Sequence, residues 1–285
     1  MDALFIDGQW REPDTDPITV RSPVDDSVLG SVPSGTAEHV DEAVGATAAV
    51  ATEFRELNVY ERAEAVKAAM AAIEERADSI AETMAREVGK PVDEAREEID
   101  SAVLSGRSYA EDAVRLFGEV TPSRFEDRLN YTQREPYGPA AVVTPWNYPL
   151  EIPTDHLSAA LVTGNPVTWK PASDAVLTAT HVAEAFARAP LPEGAFNFVP
   201  GSGSTVGSAL AGHEAVRLVA FTGSTDVGQR IAGGEHRRPF GDGRDDVLVD
   251  GLGRDHPLGP GAGLPAVVIA PHHNGVGRPL DVGVV

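Results

Sequence analysis

The sequence contains no cysteine among its 285 residues. Disulfide bonds, thiolate metal sites and a cysteine nucleophile are therefore excluded for this chain. No apolar run reaches the roughly 18 residues that a membrane-spanning helix needs. The opening segment, MDALFIDGQW, has neither the basic nor the apolar region of a secretion signal. We therefore expect a cytoplasmic protein with no membrane partner.

Basic residues are also scarce, with 23 Lys and Arg against 44 Asp and Glu and a net charge of −21. Only three of the basic residues are lysines. Such a surface repels nucleic-acid phosphates, so we expect no nucleic-acid partner. Residues 1–100 hold 24 acidic and nine basic side chains. This balance favours a high-salt cytoplasm, where acidic surfaces keep proteins soluble, and an ordinary acidic surface is the alternative.

The N-terminal third has the periodicity of helices. Apolar residues recur at helical spacing over 40–54, behind the N-cap candidate Thr36. Asn58 and Glu61 have the spacing of a capping box, and the apolar stripe over 63–84 then predicts one continuous helix. A third helix is predicted over roughly 92–117. The polar, proline-containing residues 119–136 predict a projecting hairpin or loop.

From residue 139 onward the pattern alternates between strands and helices. Short apolar segments predict strands at 140–144, 166–170, 196–200 and 217–221. Helical segments are predicted between and after them, at 155–163, 175–187, 205–211 and 225–232. Four consecutive βα units imply a parallel, doubly wound sheet with binding sites at the carboxyl ends of its strands.

Residues 233–285 differ in composition from the rest of the chain. They hold 12 Gly and six Pro, with no helical period. Such a composition predicts a poorly ordered or irregular tail. Within this tail, short strands are predicted at 247–249 and 266–270.

Two glycine-rich turns follow predicted strands. Gly201 and Gly203 begin the first, and Phe221 and Gly223 belong to the second. Glycines allow a backbone to approach a phosphate, and the helix that follows offers free N–H groups. A strand-to-helix turn also needs glycine for geometric reasons, so each turn taken alone supports either interpretation.

Two polar residues stand at predicted strand ends. Asn147, in the stiff segment Thr144-Pro-Trp-Asn-Tyr-Pro149, can donate an amide N–H to an oxyanion, or can simply cap the next helix. Lys170 can hold a ribose hydroxyl or a phosphate, or can be a solvated surface lysine. No Gly-x-Ser-x-Gly elbow occurs, and the adjacent His272 and His273 do not have metal-ligand spacing.

Seven motifs stand in order within residues 1–232: Phe5-Ile-Asp-Gly-Gln-Trp10, Gly89-Lys-Pro91, Glu135-Pro-Tyr-Gly138, Thr144-Pro-Trp-Asn-Tyr-Pro149, Trp169-Lys-Pro-Ala172, Leu191-Pro-Glu-Gly194 and Phe221-Thr-Gly-Ser-Thr225. Together they resemble the aldehyde dehydrogenase superfamily, and most nearly its semialdehyde and lactaldehyde types. The resemblance implies a Rossmann-like NAD(P)-binding domain over 1–118 and 137–232, and an oligomerisation hairpin within 119–136. It also implies homo-oligomers and the oxidation of an aldehyde to a carboxylic acid through a thiohemiacetal and hydride transfer.

The resemblance assigns roles to individual residues. Asn147 resembles the oxyanion-hole asparagine, and Lys170 resembles the lysine that contacts the adenosine ribose. Ser173 stands where many NAD-preferring members have glutamate, so NADP becomes acceptable beside NAD, because serine does not repel a 2′-phosphate. The cofactor-binding residues implied are Thr144, Pro145, Trp146, Lys170, Ser173, Gly201, Gly203, Phe221, Gly223, Ser224 and Val227. Trp146 belongs to the nicotinamide side, and no metal is implied.

Two family features are missing from the chain. The general base of the family lies in a Glu-Leu-Gly-Gly-Lys motif and its nucleophile is a cysteine farther on, and neither occurs here. Without a thiolate no covalent intermediate forms, so we expect the chain alone to be inactive. The leading interpretation is an aldehyde dehydrogenase whose catalytic half was lost to a frameshift or a sequence error, or is supplied separately. The alternative is a non-catalytic NAD(P)-binding remnant.

Overall fold

The computed structural model describes residues 4–232, 248–249 and 266–269. The strands in these residues are β1 (Leu4–Ile6), β2 (Gln9–Arg11), β3 (Pro17–Arg21), β4 (Val28–Pro33), β5 (Val120–Thr121), β6 (Asn130–Tyr131), β7 (Ala140–Val143), β8 (Val167–Lys170), β9 (Phe196–Phe198), β10 (Leu218–Thr222), β11 (Leu248–Val249) and β12 (Ala266–Ile269). The α-helices are α1 (Ala37–Glu56), α2 (Val59–Glu75), α3 (Ala77–Val88), α4 (Val92–Asp112), α5 (Glu151–Val162), α6 (Val176–Ala187), α7 (Ser208–Ala211) and α8 (Thr225–Ala232).

The main sheet has eight strands in the order β11-β12-β10-β7-β8-β9-β1-β2. Its centre, β10-β7-β8-β9, is parallel, as the four βα units predict. These strands are almost wholly buried because helices cover both faces of the sheet. The outer strands are antiparallel, so the sheet is mixed rather than purely parallel.

The strands before α1 were missed by the sequence analysis. The loop between β1 and β2 consists only of Asp7 and Gly8, both with positive φ (52° and 75°). Asp-Gly between two short apolar segments is a strong hairpin signal, because a two-residue turn of this kind matches the twist of its strands. The sequence therefore carries the signal for this hairpin, which precedes the helical periodicity of the N-terminal third.

The prediction of one continuous helix over 63–84 is wrong, because the chain forms two helices there, α2 and α3. Arg76 breaks the helix with φ −109° and ψ 13°. Its guanidinium pairs with the carboxylate of Glu184 and contacts the ring of His181, both on α6. The predicted N-cap Thr36 and the predicted capping box of Asn58 and Glu61 are both present.

Residues 119–136 contain the predicted hairpin, in which β5 pairs with β6. Its apolar side chains are exposed to solvent: Val120 by 72%, Leu129 by 72% and Tyr131 by 66%. The prediction of a poorly ordered tail falls on residues 233–285, which lie outside the described residues except for β11 and β12. These two strands coincide with the two short strands proposed there. In the described part of the chain, no helix has the length and apolar character needed to cross a bilayer.

Candidate functional site

The carboxyl ends of the parallel strands meet at one edge of the sheet. Val143 of β7 is level with Lys170 of β8 on one side and with Phe221 of β10 on the other. The loops that follow these strands and β9 therefore share this edge, which we call the carboxyl edge. The sequence-predicted site residues all lie on it or in the first helical turns that follow: Thr144, Pro145, Trp146, Asn147, Lys170, Ser173, Gly201, Gly203, Phe221, Gly223, Ser224 and Val227.

The loop between β7 and α5 is anchored at its start. Thr144 is buried, and its Oγ1 accepts a hydrogen bond of 3.0 Å from the indole Nε1 of Trp169. The Thr144 backbone N–H donates to the carbonyl of Lys170 over 3.3 Å. Two residues farther on, Trp146 is 52% exposed. A rigid loop base thus presents an indole to solvent at the carboxyl edge.

Asn147 does not cap the following helix. The backbone N–H groups of Leu150 and Glu151, at the start of α5, instead donate to Oε1 of Glu98, over 2.9 and 3.1 Å. The amide oxygen of Asn147 is buried and has no hydrogen-bond partner among the described residues. The helix-cap alternative for Asn147 is therefore wrong, and its amide is not engaged by α5.

Two residues that the sequence analysis gave no site role support this loop. Lys90, between α3 and α4, forms an ion pair with Oε2 of the buried Glu98. Its Nζ also donates to the backbone carbonyl of Asn147 over 3.2 Å and lies 4.1 Å from the ring centroid of Tyr148. Sequence periodicity places Glu98 among the acidic residues of α4 and gives no sign that it is buried.

Lys170 is a buried lysine, 6% exposed, and the surface alternative is wrong. Burial lowers its pKa from 10.5 to about 8, and the charge of Asp174 partly opposes this shift. No salt bridge joins Lys170 to another residue in the described parts of the chain. A buried ammonium that forms no salt bridge is costly, so this side chain is suited to a ligand that supplies oxygen acceptors.

The first glycine turn is closely packed at one point and open at another. Ser173 Oγ donates to the carbonyl of Gly201 over 3.2 Å, which joins the turns that follow β8 and β9. A Cβ at Gly201 would lie 2.3 Å from Cγ2 of Val206, whereas a Cβ at Gly203 would meet no atom within 4 Å. Gly203 begins a π-helical turn over Gly203–Gly207, whose N-cap is Ser202.

The second glycine turn, after β10, also requires glycine. A Cβ at Gly223 would lie 2.4 Å from Cζ of Phe221. Ser224 is exposed beside it, and Val227 of α8 packs against the apolar cluster that contains Phe221. The backbone therefore passes close to the Phe221 ring before α8 begins.

His156 is a further polar residue beside the site that the sequence analysis did not single out. One ring nitrogen, Nε2, forms a 2.7 Å hydrogen bond with Oγ1 of Thr222, the last residue of β10. Burial lowers the pKa of His156 to about 4, so its imidazole is neutral near pH 7. The described residues contain no group of acidic and histidine side chains able to hold a metal ion.

Comparison with known proteins places the chain in a family. The aldehyde dehydrogenase family model matches residues 10–238. An alpha-ketoglutaric semialdehyde dehydrogenase of Bacillus subtilis is 38% identical over 229 residues, which are 80% of this chain and 47% of that protein. The chain thus spans about half the length of the curated relatives it matches.

Two solved structures extend the comparison. One is an NADP-dependent glyceraldehyde-3-phosphate dehydrogenase from Bacillus halodurans in complex with NADP, 31% identical with a TM-score of 0.77 and covering 82% of this chain and 50% of the other. The second is a betaine aldehyde dehydrogenase from Staphylococcus aureus in complex with NAD+. It is 29% identical with a TM-score of 0.77, and the match covers 81% of this chain and 46% of the other. The family model over most of the chain, together with relatives of matching sequence and fold, shows that the chain belongs to the aldehyde dehydrogenase family.

Proposed function

We propose that the carboxyl edge binds a nicotinamide dinucleotide and serves the NAD(P)-dependent oxidation of an aldehyde to a carboxylic acid. The observation that carries this proposal is Lys170, which is buried at the edge without an ion-pair partner among the described residues. Ribose hydroxyls or a phosphate would supply the acceptors that its ammonium needs. The complexes of the two structural relatives with NADP and NAD+ support the same ligand class.

Each part of the edge has a role in this proposal. Lys170 donates to the adenosine ribose, and the turn at Gly223 and Ser224 lets the backbone approach the pyrophosphate at the start of α8. Trp146 lies against the nicotinamide end, and Asn147 donates its amide N–H to the aldehyde oxygen, where negative charge develops. The cofactor, when bound, supplies the hydride acceptor. The remaining cofactor-binding residues proposed are Thr144, Pro145, Ser173, Gly201, Gly203, Phe221 and Val227.

The serine at position 173 is the basis for proposing that NADP is accepted as well as NAD. Its hydroxyl is held by the carbonyl of Gly201, and it adds no charge beside Lys170. A glutamate there would repel a 2′-phosphate. Titration of the chain with NADPH and NADH, followed by nicotinamide fluorescence, tests the point. Ser173→Glu should weaken NADPH binding while NADH binding is retained, and an equal effect on both would contradict this role.

The chain supplies only part of the chemistry. It has no cysteine, and the family's general-base motif does not occur in its sequence. We therefore propose that an aldehyde substrate is turned over only where a catalytic half is supplied, and that this chain alone binds cofactor. The alternative is a binding remnant. Sequencing the DNA over codons 225–290 and translating every frame separates the two, because a frame that encodes Glu-Leu-Gly-Gly-Lys and a downstream cysteine would favour a broken dehydrogenase gene.

The hairpin of β5 and β6 is proposed to join copies of the chain. Its exposed Val120, Leu129 and Tyr131 form an apolar surface on a short two-stranded ribbon. An isolated ribbon of this kind is marginally stable until another surface covers it. Oligomerisation through this segment would supply that cover, and the NAD(P)-binding domain would comprise residues 1–118 and 137–232.

The charge of −21 is the basis of one further proposal about the environment of the protein. Self-repulsion of this size destabilises a compact chain at low ionic strength and is screened by salt. We propose that the protein works in a cytoplasm of high salt concentration. The dependence of the melting temperature on salt tests this.

A further inference from the structure

The loop that carries Trp146 and Asn147 is anchored at its two ends by different parts of the chain. At its start, Thr144 is held by Trp169. At its far end, where α5 begins, the contacts come from Lys90 and Glu98, which precede the loop by about 50 residues in sequence. Neither of these two residues follows a strand of the carboxyl edge.

Glu98 uses its two carboxylate oxygens for different tasks. Oε1 accepts the N–H groups of Leu150 and Glu151, so it fixes the beginning of α5. Oε2 pairs with Nζ of Lys90. The Glu98 side chain is 1% exposed and that of Lys90 is 14% exposed, so the pair is shielded from solvent. A shielded carboxylate of this kind requires its cation.

Lys90 connects this fixed helix start to the loop itself. Nζ donates to the Asn147 carbonyl over 3.2 Å and lies over the Tyr148 ring at 4.1 Å. The side-chain oxygen of Asn147 has no partner among the described residues, so the position of its amide depends on its backbone. Lys90 holds this backbone through its hydrogen bond to the Asn147 carbonyl.

We propose that Lys90 is a positioning residue: through Glu98 and the Asn147 carbonyl it fixes the loop that presents Trp146 and the Asn147 amide to the nicotinamide end of the site. This proposal rests on the proposed function, because the loop serves catalysis only if the carboxyl edge binds the nicotinamide cofactor. The contacts on which it stands are internal to the chain, however, and can be tested without a bound cofactor.

The test uses the whole chain and the fluorescence of Trp146. Trp146→Phe, measured in parallel, isolates its signal from those of Trp10 and Trp169. Lys90→Met alone leaves the Glu98 carboxylate buried without its cation, so the main variant is the double substitution K90M/E98Q. Glutamine retains a side-chain oxygen that accepts from Leu150 and Glu151, and α5 remains capped.

We expect K90M/E98Q to melt cooperatively, while the time-resolved anisotropy of Trp146 gains a nanosecond component that the wild-type chain lacks, because a released loop moves on this timescale. Lys90→Arg, which keeps a cation and hydrogen-bond donors at this position, should lack that component, as the wild type does. Lys67→Met, the same substitution at a lysine that pairs with Glu64 on the surface, should leave it absent. An unchanged Trp146 decay in K90M/E98Q overturns the proposal.

A second readout separates this proposal from the proposed function. When NADPH binds, we expect energy transfer from Trp146 to the reduced nicotinamide to fall in K90M/E98Q, while the NADPH dissociation constant stays within about threefold, because Lys170 is untouched. Energy transfer equal to that of the wild type would overturn the inference. If NADPH fails to bind the wild-type chain, the proposed function fails, while the anisotropy measurement still decides the role of Lys90.

Discussion

Substitution of Lys170 by Met tests two effects of its buried charge separately: the cost to the stability of the folded chain and the contribution to cofactor binding. The two side chains are similar in length, and Cδ of Lys170 packs near Gly207. The pKa of Lys170 is lowered from 10.5 to about 8 because the ammonium is desolvated. Each unit of pKa shift corresponds to about 1.4 kcal/mol, so the buried ammonium costs about 3 kcal/mol in the chain without cofactor.

We expect Lys170→Met to be more stable than the wild type by about 1–3 kcal/mol at pH 7, measured by urea denaturation. The unfolded chain binds more protons than the folded one between the two pKa values, about 8 and 10.5. The wild-type chain therefore gains stability relative to the variant as the pH rises through this window. The advantage of the variant is complete below pH 8 and lost above 10.5.

The same variant should bind NADPH about 10- to 100-fold more weakly, because a hydrogen bond from a charged donor contributes about 1.5–3 kcal/mol. Lys67→Met, a substitution at the surface, is the matched control and should change neither quantity. A variant that is less stable than the wild type at pH 7 would refute the argument from burial. A variant that is more stable but binds NADPH as tightly as the wild type would refute the assignment of Lys170 to the cofactor.

Three further predictions concern packing, assembly and salt. Gly223→Ala should lower the free energy of unfolding in urea by about 1–3 kcal/mol, because the added Cβ would meet the Phe221 ring. Gly203→Ala, with open space around it, should leave this free energy unchanged or raise it by up to about 1 kcal/mol. Equal effects of the two substitutions would refute the packing argument. Leu129→Asp should shift the chain towards monomer in light scattering, and Leu104→Asp, at an equally exposed leucine outside the hairpin, should not. The melting temperature should rise by about 4 °C or more between low and molar salt, and a flat profile would contradict the high-salt proposal.

The sequence by itself determined those secondary-structure elements of this protein that depend on neighbouring residues. The capping residues Thr36 and Asn58 mark true helix starts, and the short apolar segments from residue 140 onward are the central parallel strands. These strands also predict the carboxyl edge, because parallel strands bring their carboxyl ends together. The motifs were also sufficient to identify the family, and the comparison with known proteins confirmed it.

Tertiary structure decided what depends on contacts between distant residues. Arg76 breaks a sequence that is apolar at helical spacing, and its side chain pairs with Glu184 on another helix. Glu98, rather than the nearby Asn147, caps α5, since only the packing of α4 against α5 brings its carboxylate to that helix start. Lys170 is buried because helices cover the sheet, and that burial changes its pKa. Periodicity reports which face of an element is apolar, whereas the partner that each polar group finds is fixed only when the elements pack.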